Sequence, residues 1–216
     1  MHWLLKENGL KILKINKKKF IYLISPLKIK KSFYSNLIKV FKENKVSFFQ
    51  LRLKSESYKK RLMIAKKIRK ICKKFNIKFL INDDVFLAKE LNADGCHLGQ
   101  NDMSIVDARK LLGDKIIGIT CHNSIKLAKN AIKNKADYLA FGAFNLSKTK
   151  NVKYKATVSI IKKARKITKL PIVAIGGINN NNYKKLLLNK VNFLAISSYI
   201  WKNKKIEPLE AIKKFR

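Results

Sequence analysis

Three polar side chains occupy alternate positions at the end of the apolar segment VSFFQLRLK, residues 46–54. Alternate residues of a strand point to the same face, so Gln50, Arg52 and Lys54 are expected to share one face. An amide, a guanidinium and an ammonium group side by side form a suitable binding site for a phosphate-like anion. The alternative is a solvent-exposed strand edge, where the same side chains would simply be hydrated.

A second polar group follows the next apolar run, where FLIN at 79–82 leads into Asp83 and Asp84. Carboxylates are scarce here, because the chain has 13 Asp and Glu against 50 Lys and Arg. One interpretation is that these residues cap the helix that follows the strand. The other is that the polar side chains here and in the later segment GCHLGQND, at two neighbouring strand ends, supply the hard oxygen ligands that suit Mg2+.

Glycines and hydroxyl groups in the last third of the chain indicate a further anion site. The segment IVAIGGI is followed by NNNN at the start of a predicted helix. Glycines allow close approach of the backbone to a phosphate, and a helix N-terminus favours negative charge. The loop GAFNLSKTK and the segment AISS add hydroxyl groups and a lysine. The candidate phosphate ligands are Ser147, Thr149, Lys150, Gly176, Gly177, Ile196, Ser197 and Ser198.

Two Cys–His pairs, Cys96–His97 and Cys121–His122, raise the question of zinc. Adjacent residues in a strand point to opposite faces, so each pair offers one ligand rather than two. We therefore expect no zinc site. No arrangement typical of a Ser/His/Asp or Cys/His nucleophile stands out either.

The elements that must position these residues alternate regularly along the chain. Strands are predicted at 20–25, 46–52, 77–82, 95–99, 115–120, 138–143, 171–176 and 193–197. Helices are predicted at 32–45, 56–75, 84–91, 104–112, 124–135, 155–168, 180–190 and 206–215.

This alternation, with no linker rich in Pro, Gly or Ser, predicts one α/β domain at residues 20–216, folded as a single (β/α)8 TIM barrel. A doubly wound sheet is the alternative, because alternation alone does not show closure. In a barrel the chemistry lies at the carboxyl ends of the strands, where the polar groups above are found. Residues 1–19 are predicted to form a basic amino-terminal arm or helix.

Composition limits the classes of function. The net charge is +37 over 216 residues, but the lysines are scattered over nearly every predicted helix, so we expect no nucleic-acid partner and no membrane. A basic surface instead favours anionic small-molecule substrates. Three cysteines without a CxxC pair indicate a reducing, cytoplasmic location. An oligomer is compatible with the sequence.

Taken together, these motifs resemble thiamine phosphate synthase, a family of (β/α)8-barrel enzymes. The resemblance covers residues 20–200 and rests on the segments QLRLK (50–54), NDD (82–84), GCHLGQND (95–102), GITCHN (118–123), GAFNLSKTK (142–150), IVAIGGI (172–178) and AISS (195–198). The family joins a hydroxymethylpyrimidine diphosphate to a thiazole phosphate and releases diphosphate.

The resemblance implies a role for each matching residue. Asp83 and Asp102 are expected to bind Mg2+. The residues expected to contact the pyrimidine diphosphate are Gln50, Arg52, Lys54, Asn82, Thr120 and Lys150, of which Arg52, Lys54, Thr120 and Lys150 are expected to be catalytic. The thiazole phosphate is expected to contact Ser147, Thr149, Gly177, Ile196 and Ser197.

Some features depart from the family pattern, and other functions compete. Asn145 and Leu146 stand where the family usually has an aromatic residue and a proline, and Thr120 stands where it often has Ser. A related barrel, the thiazole tautomerase, could use His122 as an acid–base residue but does not need the full set of diphosphate and metal ligands. A noncatalytic relative that binds phosphate ligands is the third alternative.

Overall fold

The structure is a computed structural model that describes residues 4–7, 10–13, 19–145 and 154–216. Two short strands come first, β1 (Leu4–Glu7) and β2 (Leu10–Leu13). Eight further strands follow: β3 (Ile21–Ile24), β4 (Val46–Leu51), β5 (Lys78–Asn82), β6 (Gly95–Leu98), β7 (Ile116–His122), β8 (Tyr138–Gly142), β9 (Ile172–Ile175) and β10 (Phe193–Ile196).

Helices alternate with these eight strands. In chain order they are α1 (Ser32–Lys42), α2 (Tyr58–Lys74), α3 (Val85–Glu90), α4 (Ile105–Leu112), α5 (Ile125–Lys133), α6 (Val158–Ile167), α7 (Tyr183–Leu188), α8 (Ser198–Trp201) and α9 (Pro208–Lys213). The sequence analysis did not predict α8, because four residues are too short to show helical periodicity.

The strands β3 to β10 form a closed parallel barrel, in which each strand pairs with the next and β10 pairs with β3. Leu194 lies opposite Ile21 and Ile196 opposite Leu23 at this closing pair. Closure confirms the predicted (β/α)8 barrel and excludes the doubly wound sheet. It also brings the carboxyl ends of all eight strands to one rim.

Alternation along the strands divides the core into two layers. One buried cluster consists of strand residues alone, among them Tyr22, Phe48, Leu80 and Phe193, and fills the barrel interior. A larger cluster lies between the outer faces of the strands and the helices. Gly118 makes room in the interior, since a Cβ there would lie 1.8 Å from Cζ of Tyr138.

Side chains at the amino-terminal end of the barrel tie neighbouring strands together. In three places the side chain of the residue directly before a strand accepts a hydrogen bond from a backbone N–H of the preceding strand. The same side chain also accepts a hydrogen bond from a Lys or Arg, which lies on that preceding strand or on a nearby helix. The sets are Asp94 with Phe79 N–H (2.9 Å) and Lys78, Asp137 with Ile117 N–H (2.7 Å) and Arg109, and Asn192 with Ile172 N–H (2.8 Å) and Arg165. These contacts lie away from the rim, at the end of a barrel that serves stability.

The amino-terminal residues were predicted to form a basic arm or helix. β1 and β2 pair antiparallel, with Glu7 opposite Leu10, so the helical alternative is wrong over the described residues of this segment. The sequence between these strands is Asn8-Gly9, a dipeptide typical of two-residue hairpin loops, and this signal was overlooked. The division of the chain at residue 19 stays a prediction.

Candidate active site

The polar side chains at the end of β4 and just after it line the barrel from the interior to its carboxyl-terminal rim. Gln50 is buried, Arg52 is partly buried and Lys54 is exposed. Burial lowers the pKa of the Arg52 guanidinium, and the Asp83 carboxylate opposes this effect. The three residues therefore form a graded polar surface with cations towards the rim, instead of the solvent-exposed edge considered as an alternative.

Two carboxylates meet beside this surface. The side chains of Asp83 and Asp102 share a hydrogen bond, and Lys54 Nζ lies 2.8 Å from Asp83 Oδ2. Asp102 Oδ2 also accepts the backbone N–H of Gly99 at 2.6 Å. These contacts bring together Asp83 and Asp102, which are 19 residues apart in sequence, as the metal prediction requires.

The pKa values of the two carboxyls move in opposite directions. Burial raises the pKa of Asp83, but hydrogen bonds from Lys54 and Asp102 outweigh it and bring the pKa below its usual value. Burial and the neighbouring Asp83 raise the pKa of Asp102. Two neighbouring carboxyls whose pKa values move apart in this way are a favourable site for a cation, because a divalent ion stabilises both charges.

Asp84 has a different role from its neighbour. Its Oδ1 accepts the N–H of Leu87 at 2.9 Å and so caps α3, and its Oδ2 lies 2.8 Å from Arg61 Nη1. Asp83 adopts a left-handed backbone conformation with φ of 65°, and its N–H donates to the carbonyl oxygen of His97 at 2.8 Å. The capping interpretation therefore applies to Asp84, and the metal interpretation stays a prediction for Asp83.

A continuous chain of buried hydrogen bonds crosses the barrel interior. Gln50 Nε2 donates to Tyr22 Oη at 2.8 Å, and Tyr22 Oη lies 2.8 Å from Tyr138 Oη. Tyr138 Oη lies 2.8 Å from His97 Nδ1, and His97 Nε2 lies 2.9 Å from Thr120 Oγ1. We call these five residues the interior hydrogen-bond chain. It connects Gln50 and Thr120, two predicted ligands on strands that are not adjacent.

The sequence analysis missed the two tyrosines of this chain. Burial raises the pKa of both Tyr22 and Tyr138, so both stay protonated and able to donate. Each occupies an inward-facing position in an otherwise apolar strand, so the sequence gives no reason to distinguish it from an ordinary core residue. A usable signal was the need of a buried phenol for a hydrogen-bond partner.

Another part of the rim is formed by the ends of the strands β9 and β10. Gly176 has a φ of 105°, and a Cβ there would lie 2.4 Å from Cβ of Ala143. Ser197 Oγ donates to the carbonyl oxygen of Ser25 at 3.1 Å. The Ile196 side chain is buried against the helices, so only its backbone is available to a ligand at the rim.

Three predicted ligands, Ser147, Thr149 and Lys150, lie outside the described residues. The residues that flank this loop are held by Ala143, whose N–H donates to Tyr154 O at 2.9 Å and whose carbonyl accepts the N–H of Ala156 at 2.8 Å.

Comparison with known proteins identifies the family. The sequence profile described as Thiamine monophosphate synthase matches residues 21–200. The chain belongs to this family.

Individual members of the thiamine monophosphate synthase family resemble the chain over most of its length. A thiamine-phosphate synthase of Pelagibacter ubique is 65% identical over 204 residues, which are 94% of this chain and 98% of that protein. The enzyme of Nitrosomonas eutropha is 40% identical over 163 residues, 75% and 77% of the two chains. The structure of thiamine phosphate pyrophosphorylase from Pyrococcus furiosus superposes with a TM-score of 0.81 at 26% identity and covers 92% of this chain and 94% of that one.

Membership of the thiamine monophosphate synthase family makes this chain a thiamine-phosphate synthase, a transferase of thiamine biosynthesis. The profile match contains every predicted site residue, whereas β1 and β2 lie before it. Among the described residues no helix is long and apolar enough to cross a membrane.

The described residues also bear on the metal. They contain no group of three or more His, Cys, Asp or Glu side chains placed to bind a metal ion. The Asp83–Asp102 pair, with two carboxylates, nevertheless suits Mg2+, which binds through one or two carboxylates and completes its shell with water and substrate phosphate oxygens. Beside the pair is a cleft of about 320 Å3, whose lining includes Lys54, Asn82 and Asp83.

Proposed function

We propose that this enzyme condenses 4-amino-2-methyl-5-hydroxymethylpyrimidine diphosphate with thiazole phosphate to give thiamine phosphate and diphosphate. One structural observation carries the proposal. Arg52 and Lys54, which follow β4, lie at the rim beside the Asp83–Asp102 pair, where Lys54 Nζ is 2.8 Å from Asp83 Oδ2. Adjacent cations and carboxylates are what a metal-bound diphosphate needs.

Asp83 and Asp102 are proposed to hold Mg2+. When bound, this ion neutralises charge on the diphosphate and so improves it as a leaving group. Arg52 and Lys54 add positive charge from the protein, and Lys150 is proposed to do the same. The hydrogen bond between the two carboxyls supports a dication site, because Asp102 holds its proton more tightly beside Asp83.

The pyrimidine is proposed to contact Gln50, Asn82 and Thr120. Gln50 and Asn82 are inward-facing residues on neighbouring strands, and the interior hydrogen-bond chain joins Gln50 to Thr120. Such fixed polar groups orient the ring so that its exocyclic methylene lies beside the diphosphate-binding cations.

Thiazole phosphate is proposed to bind on the other side of the rim. Gly177, which has a φ of 56°, and the backbone of Ile196 and Ser197 border that side. Ser147 and Thr149 are proposed to donate hydrogen bonds to the same phosphate.

The reaction breaks the C–O bond between the pyrimidine methylene and diphosphate, and the electron pair leaves with diphosphate. The thiazole nitrogen then gives its lone pair to the resulting carbocation and forms the new C–N bond. This dissociative path needs orientation and stabilisation of the leaving charge, and it needs no protein nucleophile. The cysteines support this view, since all three are buried and free.

We place the reaction in the cytoplasm, because free cysteines suit a reducing compartment. The partners proposed are the two small-molecule substrates, and an oligomer is compatible with this activity.

The test is a product assay with purified enzyme, both substrates and Mg2+. We expect thiamine phosphate and diphosphate to form in equal amounts, and EDTA to stop both until Mg2+ is restored. Formation of neither product by folded protein would contradict the proposal. Conversion of the thiazole tautomer alone would then favour the tautomerase.

A further inference from the structure

The interior hydrogen-bond chain joins two proposed pyrimidine ligands through three residues that have no assigned role. Tyr22, Tyr138 and His97 are 2%, 1% and 9% exposed, so their polar atoms are largely withdrawn from water. All four links are 2.8–2.9 Å long. A buried chain this regular is expected to have a defined direction of donation.

For a neutral His97 imidazole, proton counting allows only two complete arrangements. Each tyrosine hydroxyl donates one proton, and a neutral imidazole carries one N–H. If Gln50 donates to Tyr22, then Tyr22 donates to Tyr138, Tyr138 donates to His97 Nδ1, and the proton of His97 is on Nε2. If Gln50 accepts instead, every link reverses and the proton of His97 is on Nδ1. Any mixed arrangement leaves a buried donor without an acceptor.

The orientation of the Gln50 amide selects between the two. Its Nε2 faces Tyr22, which makes Gln50 the donor at its end of the chain. His97 Nε2–H then donates to Thr120 Oγ1, and the Thr120 hydroxyl proton remains for a ligand. At the other end Oε1 of Gln50 has no hydrogen-bond partner among the described residues and remains as an acceptor.

We propose that Tyr138 is a positioning residue, which holds His97 in the Nε2–H tautomer and thereby prevents the Gln50 amide from turning over. The enzyme then offers the substrate one fixed acceptor, Gln50 Oε1, and one fixed donor, the Thr120 hydroxyl. An aminopyrimidine complements this pair, since its amino group donates and a ring nitrogen accepts. This inference rests on the proposed function for the identity of the ligand.

The proposal explains discrimination against a close analogue. In the 4-oxo pyrimidine diphosphate a carbonyl replaces the amino group, so two acceptors would face each other at Gln50 Oε1. Turning the amide over would correct this, but Gln50 can turn only if Tyr22, Tyr138 and His97 all reverse. A site built around fixed polar groups rejects such an analogue strongly.

Nitrogen NMR tests the direction of the chain without any substrate. We expect the 15N shifts of the His97 ring to show a neutral imidazole protonated at Nε2, with the signals assigned by their loss in His97→Gln. In Tyr138→Phe we expect a mixture of both tautomers. A ring protonated at Nδ1 in the wild-type enzyme would overturn the proposal.

Binding measurements test the consequence for specificity. We expect wild-type enzyme to bind the 4-amino diphosphate at least about 100-fold more tightly than the 4-oxo analogue. In Tyr138→Phe, Tyr22 can donate to a turned Gln50, so we expect the ratio to fall below about tenfold, chiefly through tighter relative binding of the oxo analogue. Structural damage alone would weaken the binding of both ligands and leave the ratio of their affinities unchanged. That result would overturn the proposal.

Tyr183→Phe is the matched control. Tyr183 is also buried, but it belongs to the cluster between the strands and the helices and not to the interior hydrogen-bond chain. Its hydroxyl accepts the N–H of Arg216 at 2.9 Å. We expect this variant to keep the wild-type ratio. If wild-type enzyme bound neither diphosphate, the proposed substrate and the specificity argument would both fail, whereas the nitrogen spectrum would still decide the direction of the chain.

Discussion

Asp83 and Asp84 are adjacent, yet they serve different parts of the molecule. The left-handed backbone of Asp83 separates the directions of the two side chains, so that one contacts Asp102 and the other caps α3. Asp and Asn tolerate this conformation better than other residues with a side chain. A test of the metal site at residue 83 should therefore use Asn, which changes the charge and keeps the backbone.

Asp83→Asn is expected to lower metal-dependent turnover at limiting Mg2+ by at least about 100-fold. The physical reason is the loss of one of only two carboxylates in the proposed site. The measurement is the initial rate of thiamine phosphate formation as a function of Mg2+ concentration. We expect the Mg2+ concentration for half-maximal rate to rise, while circular dichroism and the melting temperature stay close to those of the wild type.

Asp84→Ala is the matched control, since it removes a carboxylate one residue away. Loss of the cap of α3 is expected to lower the free energy of unfolding by about 1 kcal/mol. The Mg2+ dependence of the folded variant is expected to be unchanged. Equal Mg2+ dependence in wild-type, Asp83→Asn and Asp84→Ala proteins would show that the metal does not bind at Asp83.

At the scale of elements, the barrel strands were predictable from their composition. All eight begin and end within two residues of the predicted segments, because buried parallel strands are continuous apolar runs. The common face of Gln50, Arg52 and Lys54 followed from simple alternation. The tyrosines of the interior hydrogen-bond chain did not, because their partners come from strands far apart in sequence and only closure brings them together.

The contacts of Asp137, at the amino-terminal end of the barrel, allow a prediction about how neighbouring strands are held together. Its Oδ2 accepts from Ile117 N–H at 2.7 Å and from Arg109 Nη2 at 2.6 Å. Asp137→Ala leaves a buried strand N–H without a partner, so we expect the free energy of unfolding to fall by about 1–3 kcal/mol. Urea denaturation measures it, and the activity of the folded variant is expected to stay near that of the wild type.

Glu210→Ala provides the comparison for an exposed ion pair. Glu210 contacts Lys213 at 3.2 Å, and both side chains are about half exposed. Such pairs contribute little, so we expect a change within about 0.5 kcal/mol. If Asp137→Ala lowered the free energy of unfolding no more than Glu210→Ala, the contacts of Asp137 at the amino-terminal end of the barrel would not stabilise it.

At the scale of the whole molecule, regions outside the barrel were the least predictable. The strands β1 and β2 lie where an arm or a helix was predicted, because the short apolar segments on either side of Asn8-Gly9 fit both periodicities. The predicted phosphate ligands at 147–150 depend on a loop outside the described residues, so their role stays a prediction. Periodicity carries little information about such loops, since their conformation is set by contacts that the local sequence does not encode.

Closure of the barrel has a chemical consequence for its three cysteines. Cys72, Cys96 and Cys121 are all buried, at 1%, 0% and 0% exposure. Burial raises the pKa of each thiol, for Cys121 to about 12. Because the thiolate is the reactive form, we expect none of the three to react with a disulfide reagent within minutes at pH 8 in the folded enzyme.

Reaction under denaturing conditions supplies the control, because unfolding restores both access and the ordinary thiol pKa. We expect three thiols per chain to react in guanidinium, in agreement with the three cysteines of the sequence. The slow reaction of native enzyme should then follow the opening of the structure, and substrates that bind the rim should slow it further. One thiol that reacts rapidly in native enzyme would show that the barrel opens locally around it, and a single Cys→Ser substitution would identify which cysteine is exposed.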